Sequence, residues 1–183
     1  MEILKLGIEG VILIKPRVFP DNRGYFYESF NIKKWNNFMT PVDFVQDNLA
    51  YNKKKNTIRG MHYQEKSFQA KLVSCIKGSI LDVVVDVRPN SKTYGKWVSA
   101  ELSDVNNYQL WIPKGFAHGY KTLSDDTTVI YKADDFYRPD DYRGFIWNDK
   151  VVNIDWEIAE DDEVILSEQD NSYKSFSEIG EKK

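Results

Sequence analysis

Apolar and polar positions alternate with a period of two along much of the chain, in "GVILIKPRVF", "GYFYESF", "AKLVSCIKGSILDVVVDVRP", "GKWVSAELS", "YQLWIP", "HGYKTLS", "TTVIYKADDFY" and "VVNIDW". Successive side chains of a strand point to opposite faces, so this alternation predicts many short strands. Turn-forming clusters separate the runs at Pro20 to Gly24, Arg88 to Gly95 and Leu123 to Asp126. Such a pattern predicts an all-β sandwich or barrel. Helical spacing is confined to two short stretches: "NIKKWNNFM", where Ile32, Trp35 and Phe38 recur every three residues, and "SEQDNSYKSF" near the end. "YNKKKN", Tyr51 to Asn56, reads as an exposed turn, because three adjacent lysines repel one another and stay solvated.

Composition narrows this picture. A chain of 183 residues suits one domain, 1–183, with a substantial core, ending in a polar tail at 171–183. With 42% hydrophobic and 29% charged residues, including ten Phe, eleven Tyr and five Trp, it is globular, and its aromatic load favours strands. The net charge of -3 argues against a nucleic-acid surface while leaving room for a basic patch around a small anion. The first residues show no secretory pattern, and no run approaches the ~18 apolar residues of a membrane span, so a soluble, cytoplasmic protein is expected. The single cysteine, Cys75, lies in an apolar run and reads as a buried small hydrophobe, in keeping with a reducing compartment.

Candidate chemistry gathers around the only two histidines, His62 in "IRGMHYQ" and His118 in "LWIPKGFAHGY". Metal sites in β-barrels need several imidazoles and a carboxylate on one ion. No H-x-H pair is present, which favours metal-free acid/base chemistry. If Ile58 to Gln64 form a regular strand, Gly60, His62 and Gln64 share one face, and Arg59, Met61 and Tyr63 the other. Either Gly60 marks a bulge that re-aims Arg59, or only one of Arg59 and His62 faces a cavity. Gln69, Lys71, Val73 and Cys75 share a face, which makes Lys71 either a functional cation or a lysine on an edge strand. Tyr131 and Tyr137 are cofacial on a regular strand, and Tyr137 is a candidate substrate-binding ring. Dinucleotide, P-loop, G-x-S-x-G and paired C-x-x-C signatures are absent. A pocket of His, Lys, Tyr and Arg remains, able to remove a proton, stabilise an oxyanion, return a proton and hold phosphates.

"DNRGYFYESF", "FVQDN", "IRGMHYQ", "QAKLV", "DVVVDVRPNSKTYGKWVSAELS", "YQLWIPKGFAHGY", "YKADDFYRPD" and "WND" followed by "IDW" occur in order across residues 8 to 170. In this the chain resembles the dTDP-4-dehydrorhamnose 3,5-epimerase family. The resemblance implies a cupin-type jelly roll with a few short peripheral helices, a homodimer, and no metal or other cofactor. It further implies a nucleotide-diphosphate sugar substrate carrying a 4-keto-6-deoxy sugar. Carried over by motif, His62 resembles the general base and Asp170 the carboxylate that orients it. Lys71 resembles the cation beside the 4-keto oxygen, and Tyr131 the acid on the opposite face. Arg59 resembles a pyrophosphate ligand and His118 a pocket residue near the substrate. Arg23, Phe26 and Glu28, within an N-terminal strand region 1–30, match a segment that reaches the partner subunit's site, while Gln46 and Asn48 match positions in the substrate cleft.

The chemistry is coherent with that set. A ketone at C4 acidifies the hydrogens on C3 and C5, because the carbanion delocalises onto oxygen, and one base and one opposed acid then invert a centre. Ala50 and Asn52 stand where serines are expected in the family, which leaves thymidine or guanosine as the base, and hexose or heptose as the sugar, open. Also open are inversion at C3 alone, a 3,4-ketoisomerase of the same fold, and, in a different class, a sugar-nucleotide binding module without catalysis. The presence of His62, Lys71, Tyr131 and Asp170 together favours the epimerase.

Overall fold

The structure is a computed structural model that describes residues 1–39 and 41–179; residues 180–183 of the expected polar tail lie outside the described residues. The chain opens with β1 (Glu2–Lys5), β2 (Ile12–Lys15), a small hairpin of β3 (Phe19–Asp21) and β4 (Gly24–Phe26), and one helical turn, α1 (Ile32–Trp35). Then come β5 (Gln46–Asn52), β6 (Ile58–Gln64), β7 (Lys71–Lys77), β8 (Ser79–Asp86), β9 (Trp97–Ser103), β10 (Gln109–Ile112), β11 (Phe116–Thr122) and β12 (Thr127–Ala133). After a 3-10 turn at Pro139–Asp141 follow β13 (Tyr142–Gly144), α2 (Glu168–Ser172) and α3 (Phe176–Ile179). A six-stranded sheet of order β1-β2-β10-β7-β12-β5 faces a five-stranded sheet of order β13-β6-β11-β8-β9, and every pairing is antiparallel. This is the expected all-β jelly roll with short peripheral helices.

Alternation sorts the side chains into three apolar layers. Between the sheets lie Leu13, Val73, Cys75, Ile80, Val84, Leu110, Phe116 and Val129. Outside the larger sheet, Ile12, Ile14, Leu72 and Trp111 pack under Trp35 of α1. Outside the smaller sheet, Leu81, Val83, Val85 and Ala117 pack under Phe145, Val152, Trp156 and Phe176 of the C-terminal segment. Cys75 is buried as expected, and burial pushes its thiol up to about 12. Gly78 joins β7 in one sheet to β8 in the other at φ +76, and a Cβ there would meet Ser124 Oγ at 2.5 Å and Thr127 Oγ1 at 2.7 Å.

The alternation of "IRGMHYQ" breaks at Gly60. Between β6 and β11 the register runs His118↔His62 and then Tyr120↔Arg59, so three residues of β6 span two of β11. This one-residue bulge is the first of the two alternatives drawn from the sequence. Its result is visible on both sides of the sheet: Arg59 and His62, three apart, both line a cavity, while Ile58 and Met61, three apart, both pack in the outer layer. Gly60 takes φ +128, and a Cβ on it would stand 2.6 Å from Gly119 Cα. Gly119 is equally hemmed in, since its Cβ would meet Met61 Sδ at 2.7 Å and Arg59 O at 2.8 Å. Two facing glycines let the backbones approach where the extra residue is accommodated.

Several expectations are corrected. "VVNIDW" forms no strand: Val152 and Trp156 are buried and Ile154 half-buried, at alternate positions, but in irregular chain docked on the outer layer, with Asp149 Oδ1 accepting from Val151 N at 2.9 Å and Val152 N at 3.0 Å. Its period of two reflects docking without a pairing partner. "GYFYESF" is extended only over β4, paired with β3, and all three residues are exposed. "YNKKKN" is a turn only from Lys53 onward, because Tyr51 and Asn52 end β5 and Asn52 is buried. The strand through Tyr131 stops at Ala133, so Tyr137 belongs to the connection that follows.

Gly119→Ala is expected to cost about 2 kcal/mol or more through overpacking at the bulge, seen as a lower urea midpoint. Gly7→Ala, whose Cβ would meet nothing nearer than Val98 Cγ1 at 3.8 Å, should change stability by less than about 0.5 kcal/mol. Equal midpoints for the two variants would show that the bulge does not need the Gly60–Gly119 contact.

Candidate active site

One end of the space between the sheets is polar and open, a cavity of about 380 Å3. The smaller sheet contributes Arg59 and His62 from β6, His118 and Tyr120 from β11, and Tyr142 from β13. The larger sheet contributes Gln46, Asn48 and Ala50 from β5, Lys71 from β7 and Tyr131 from β12. Gln69, Tyr137, Ser167, Gln169 and Asp170 close it from the connections and from α2. The inward row of β7 passes from Lys71 in the cavity to Val73 and Cys75 in the core, so one strand face serves both.

His62 and Asp170 form the central pair, Nε2 of the imidazole hydrogen-bonding Asp170 Oδ1. Ser167 caps α2 by accepting from Asp170 N at 3.0 Å, and its hydroxyl donates to Asp170 Oδ2 at 2.9 Å, so both carboxylate oxygens are held. A carboxylate accepts only, which places the ring proton on Nε2 and the lone pair on Nδ1. Burial lowers the His62 pKa, and the Asp170 charge and hydrogen bond offset part of that shift. The imidazole is therefore neutral at neutral pH while its protonated form keeps a counter-charge, which is what a general base requires.

A second pair lies deeper. His118 Nε2 hydrogen-bonds Asp82 Oδ1, and Asp82 is fully buried with no hydrogen-bond partner for Oδ2 among the described residues. His118 and His62 stand opposite each other across β11 and β6. Lys71 Nζ lies 5.6 Å from the centre of the Tyr131 ring and has no hydrogen-bond or ion-pair partner among the described residues. Burial brings the Lys71 pKa down to about 8, against the pull of Asp82. Burial also raises the Tyr131 phenol, opposed by Arg59. Among the described residues no three His, Cys, Asp or Glu side chains gather as a metal-ligating group.

Arg59, in the same cavity, is held in place by its neighbours. Its Nε donates to Asn52 Oδ1 at 2.8 Å and its Nη2 to Tyr51 O at 3.3 Å, while Asn52 Nδ2 reaches Tyr120 Oη at 3.2 Å. Gln46 Nε2 donates to Asn48 Oδ1 at 2.9 Å, and Gln46 Oε1 accepts from Tyr137 N at 3.0 Å. Buried Gln64 accepts from Arg138 N at 2.6 Å and donates to Phe136 O at 3.3 Å, so it grips the connection on either side of Tyr137. Tyr137, 49% exposed, stands at the mouth.

His62, Tyr131, Asp170, Lys71, Gln46, Asn48, Arg59, His118 and Tyr137 thus share one cavity. Arg23, Phe26 and Glu28 lie away from it on the β3–β4 hairpin and the chain after it. Arg23 pairs with Asp21 at 2.6 Å, Glu28 with Lys34 at 2.7 Å, and Phe26 is 71% exposed. Sequence reasoning missed Asp82, Tyr142, Ser167 and Tyr173. Asp82 sits at an inward position of an apolar strand, "SILDVVVD", and a lone acid in such a row was the available signal. Ser167 precedes α2 as a helix cap, but what it holds becomes visible only in three dimensions.

Comparison with known proteins agrees in fold and extent. A family model described as dTDP-4-dehydrorhamnose 3,5-epimerase matches residues 5–178. The dTDP-4-dehydrorhamnose 3,5-epimerase of Escherichia coli (strain K12) is 45% identical over 181 residues, covering 98% of this chain and 96% of the relative. The crystal structure of dTDP-4-dehydrorhamnose 3,5-epimerase from Elizabethkingia anophelis is 42% identical with a TM-score of 0.92, covering 98% of both chains. That of dTDP-6-deoxy-D-glucose-3,5-epimerase from Legionella pneumophila, in complex with dTDP-4-keto-L-rhamnose, is 40% identical with a TM-score of 0.93, covering 97% of this chain and 94% of that one.

Asp170→Asn removes the charge that opposes burial, so the His62 pKa is expected to fall further. A carbon-13 histidine NMR titration reads this directly; a rise would contradict the pairing.

Proposed function

This chain belongs to the dTDP-4-dehydrorhamnose 3,5-epimerase family, and we propose that it inverts C3 and C5 of a dTDP-linked 4-keto-6-deoxy sugar. The observation that carries this reading is that His62 with Asp170, and Tyr131, enter one cavity from opposite sheets. A sugar ring between them presents one face to a base and the other to an acid.

In each half-reaction His62 takes a proton from the carbon next to the C4 ketone. The C–H electron pair forms the C=C bond of an enolate, and the carbonyl π pair moves onto O4. Lys71, cationic and without a protein partner, supplies charge where that oxyanion develops, a contribution of about 3 kcal/mol by the usual cost of a lost oxyanion donor. Tyr131 then donates its phenolic proton to the opposite face, the enolate electrons re-form the ketone, and the centre is inverted. Solvent returns a proton to Tyr131 and accepts the one on His62, so no net proton is consumed. His118, beside His62 and with its Nε2 proton held by Asp82, offers Nδ1 as an acceptor to a sugar hydroxyl. Arg59 holds the diphosphate, and Tyr137 at the mouth offers a ring face on which the base stacks. Gln46 and Asn48 line the cleft between them.

The functional unit is a homodimer. The β3–β4 hairpin exposes Phe19, Tyr25 and Phe26, and an apolar tip suits a segment that packs against a partner subunit.

In deuterated water with a dTDP-linked 4-keto-6-deoxy sugar, NMR should show deuterium entering C3 and C5. His62→Asn should lose at least about 100-fold of that exchange. Tyr131→Phe should epimerise poorly yet keep part of the washout, because removal and return of the proton use different groups. Loss of washout in Tyr131→Phe equal to that of His62→Asn would refute the division, and exchange at C3 alone would restrict the enzyme to one centre. Lys71 is charged below its pKa of about 8, so activity should fall as pH rises through that value. Lys71→Arg, charged throughout, should remove this alkaline limb at a lower maximal rate; an unchanged limb would assign it to another group.

A further inference from the structure

The base His62 is enclosed by aromatic rings that the reaction scheme does not use. β13 adds three residues to the edge of the smaller sheet with Gly144↔His62 and Tyr142↔Gln64 in register. Residues two apart on a strand share a face, so Tyr142 stands on the His62 side, one diagonal step away. The two rings lie 5.0 Å apart between centroids with planes at 43°. Gly144, directly opposite His62, leaves room for a third ring: a Cβ on it would lie 2.6 Å from atoms of Tyr173, which meets His62 edge-on at 5.7 Å. Tyr142 also meets Tyr137 edge-on at 5.3 Å, so aromatic contact runs unbroken from the mouth of the cavity to the base.

Resting on the epimerase reading above, we infer that Tyr142 is a positioning residue for the base: its ring holds the His62 imidazole against Asp170 and keeps water from it. The ring, not the hydroxyl, performs this role, since the hydroxyl has no hydrogen-bond partner among the described residues. Burial holds the phenol far above its ordinary pKa, so Tyr142 acts as a neutral wall. The groups facing His62 are Asp170 from α2, Tyr173 beyond it, Lys71 from β7, His118 from β11 and Tyr142 from β13. Of the charged and titratable neighbours only Asp170 favours the imidazolium; Lys71 and His118 oppose it, and burial, to which Tyr142 contributes, opposes it most. Opening one wall therefore moves the base in a predictable direction.

The chain has only two histidines, so carbon-13 histidine NMR follows each imidazole in the free protein without substrate. Tyr142→Ala is expected to raise the His62 pKa by about one unit, leave the His118 signal in place, and carry the acid limb of kcat/KM upward by the same amount. Tyr142→Leu, a smaller loss of volume, should shift His62 the same way by less, and Tyr142→Phe should restore the wild-type titration and profile. A folded Tyr142→Ala or Tyr142→Leu variant with an unshifted His62 titration overturns the inference, as does a Tyr142→Phe variant as shifted as Tyr142→Ala. Failure of the epimerase reading shows separately, as absence of C3 and C5 exchange in the unmodified protein.

Discussion

The close approach of two backbones at Gly60 and Gly119 is the constraint on which the rest of the cavity depends. A strand that kept strict alternation through Ile58 to Gln64 would send Arg59 and His62 to opposite sides of the sheet. One extra residue, fitted only because neither glycine carries a Cβ, turns both inward. Arg59 and His62, three residues apart on one strand, thereby line the same cavity. Side-chain flexibility alone would not supply that spacing.

Electrostatics follow from where the sheets place each group. His62 and His118 each meet a buried carboxylate through Nε2, but the carboxylates differ in origin: Asp82 rises from the sheet, whereas Asp170 is delivered by a capped helical turn. Lys71 and Tyr131 face them from the other sheet, both shifted by burial toward their neutral forms. The proposed base and acid are thereby divided between two facing sheets.

The jelly roll was legible because most strands bury apolar residues at every second position, and the two helical stretches were found where Ile32, Trp35 and Phe38 and the segment around Asp170 suggested them. β5 escaped notice for a functional reason. Its inward positions are Gln46, Asn48, Ala50 and Asn52, which face the cavity or Arg59 rather than the core, so the hydrophobic period is erased where the strand meets the site. The opposite error occurred at Val152 to Trp156, where alternate burial in irregular chain imitates a strand. His62, Lys71, His118 and Tyr131, each in a dense local signature, do meet in one cavity, whereas Arg23, Phe26 and Glu28 of "DNRGYFYESF" lie away from it. Residues that act through others, such as Ser167 and Tyr142, carry no signature, since their role is defined by contacts between distant parts of the chain.

One such contact has a consequence for how the protein comes into being. His62 and Asp170 are separated by 108 positions, and the helix bearing Asp170 follows a segment that packs on the outer layer and pairs Ile165 with Thr57. Both sheets are made of residues synthesised before that point. A chain can therefore hold all the residues of both sheets and still lack the carboxylate partner of His62. The His62–Asp170 pair that we propose as the base is thus completed by a segment made after both sheets.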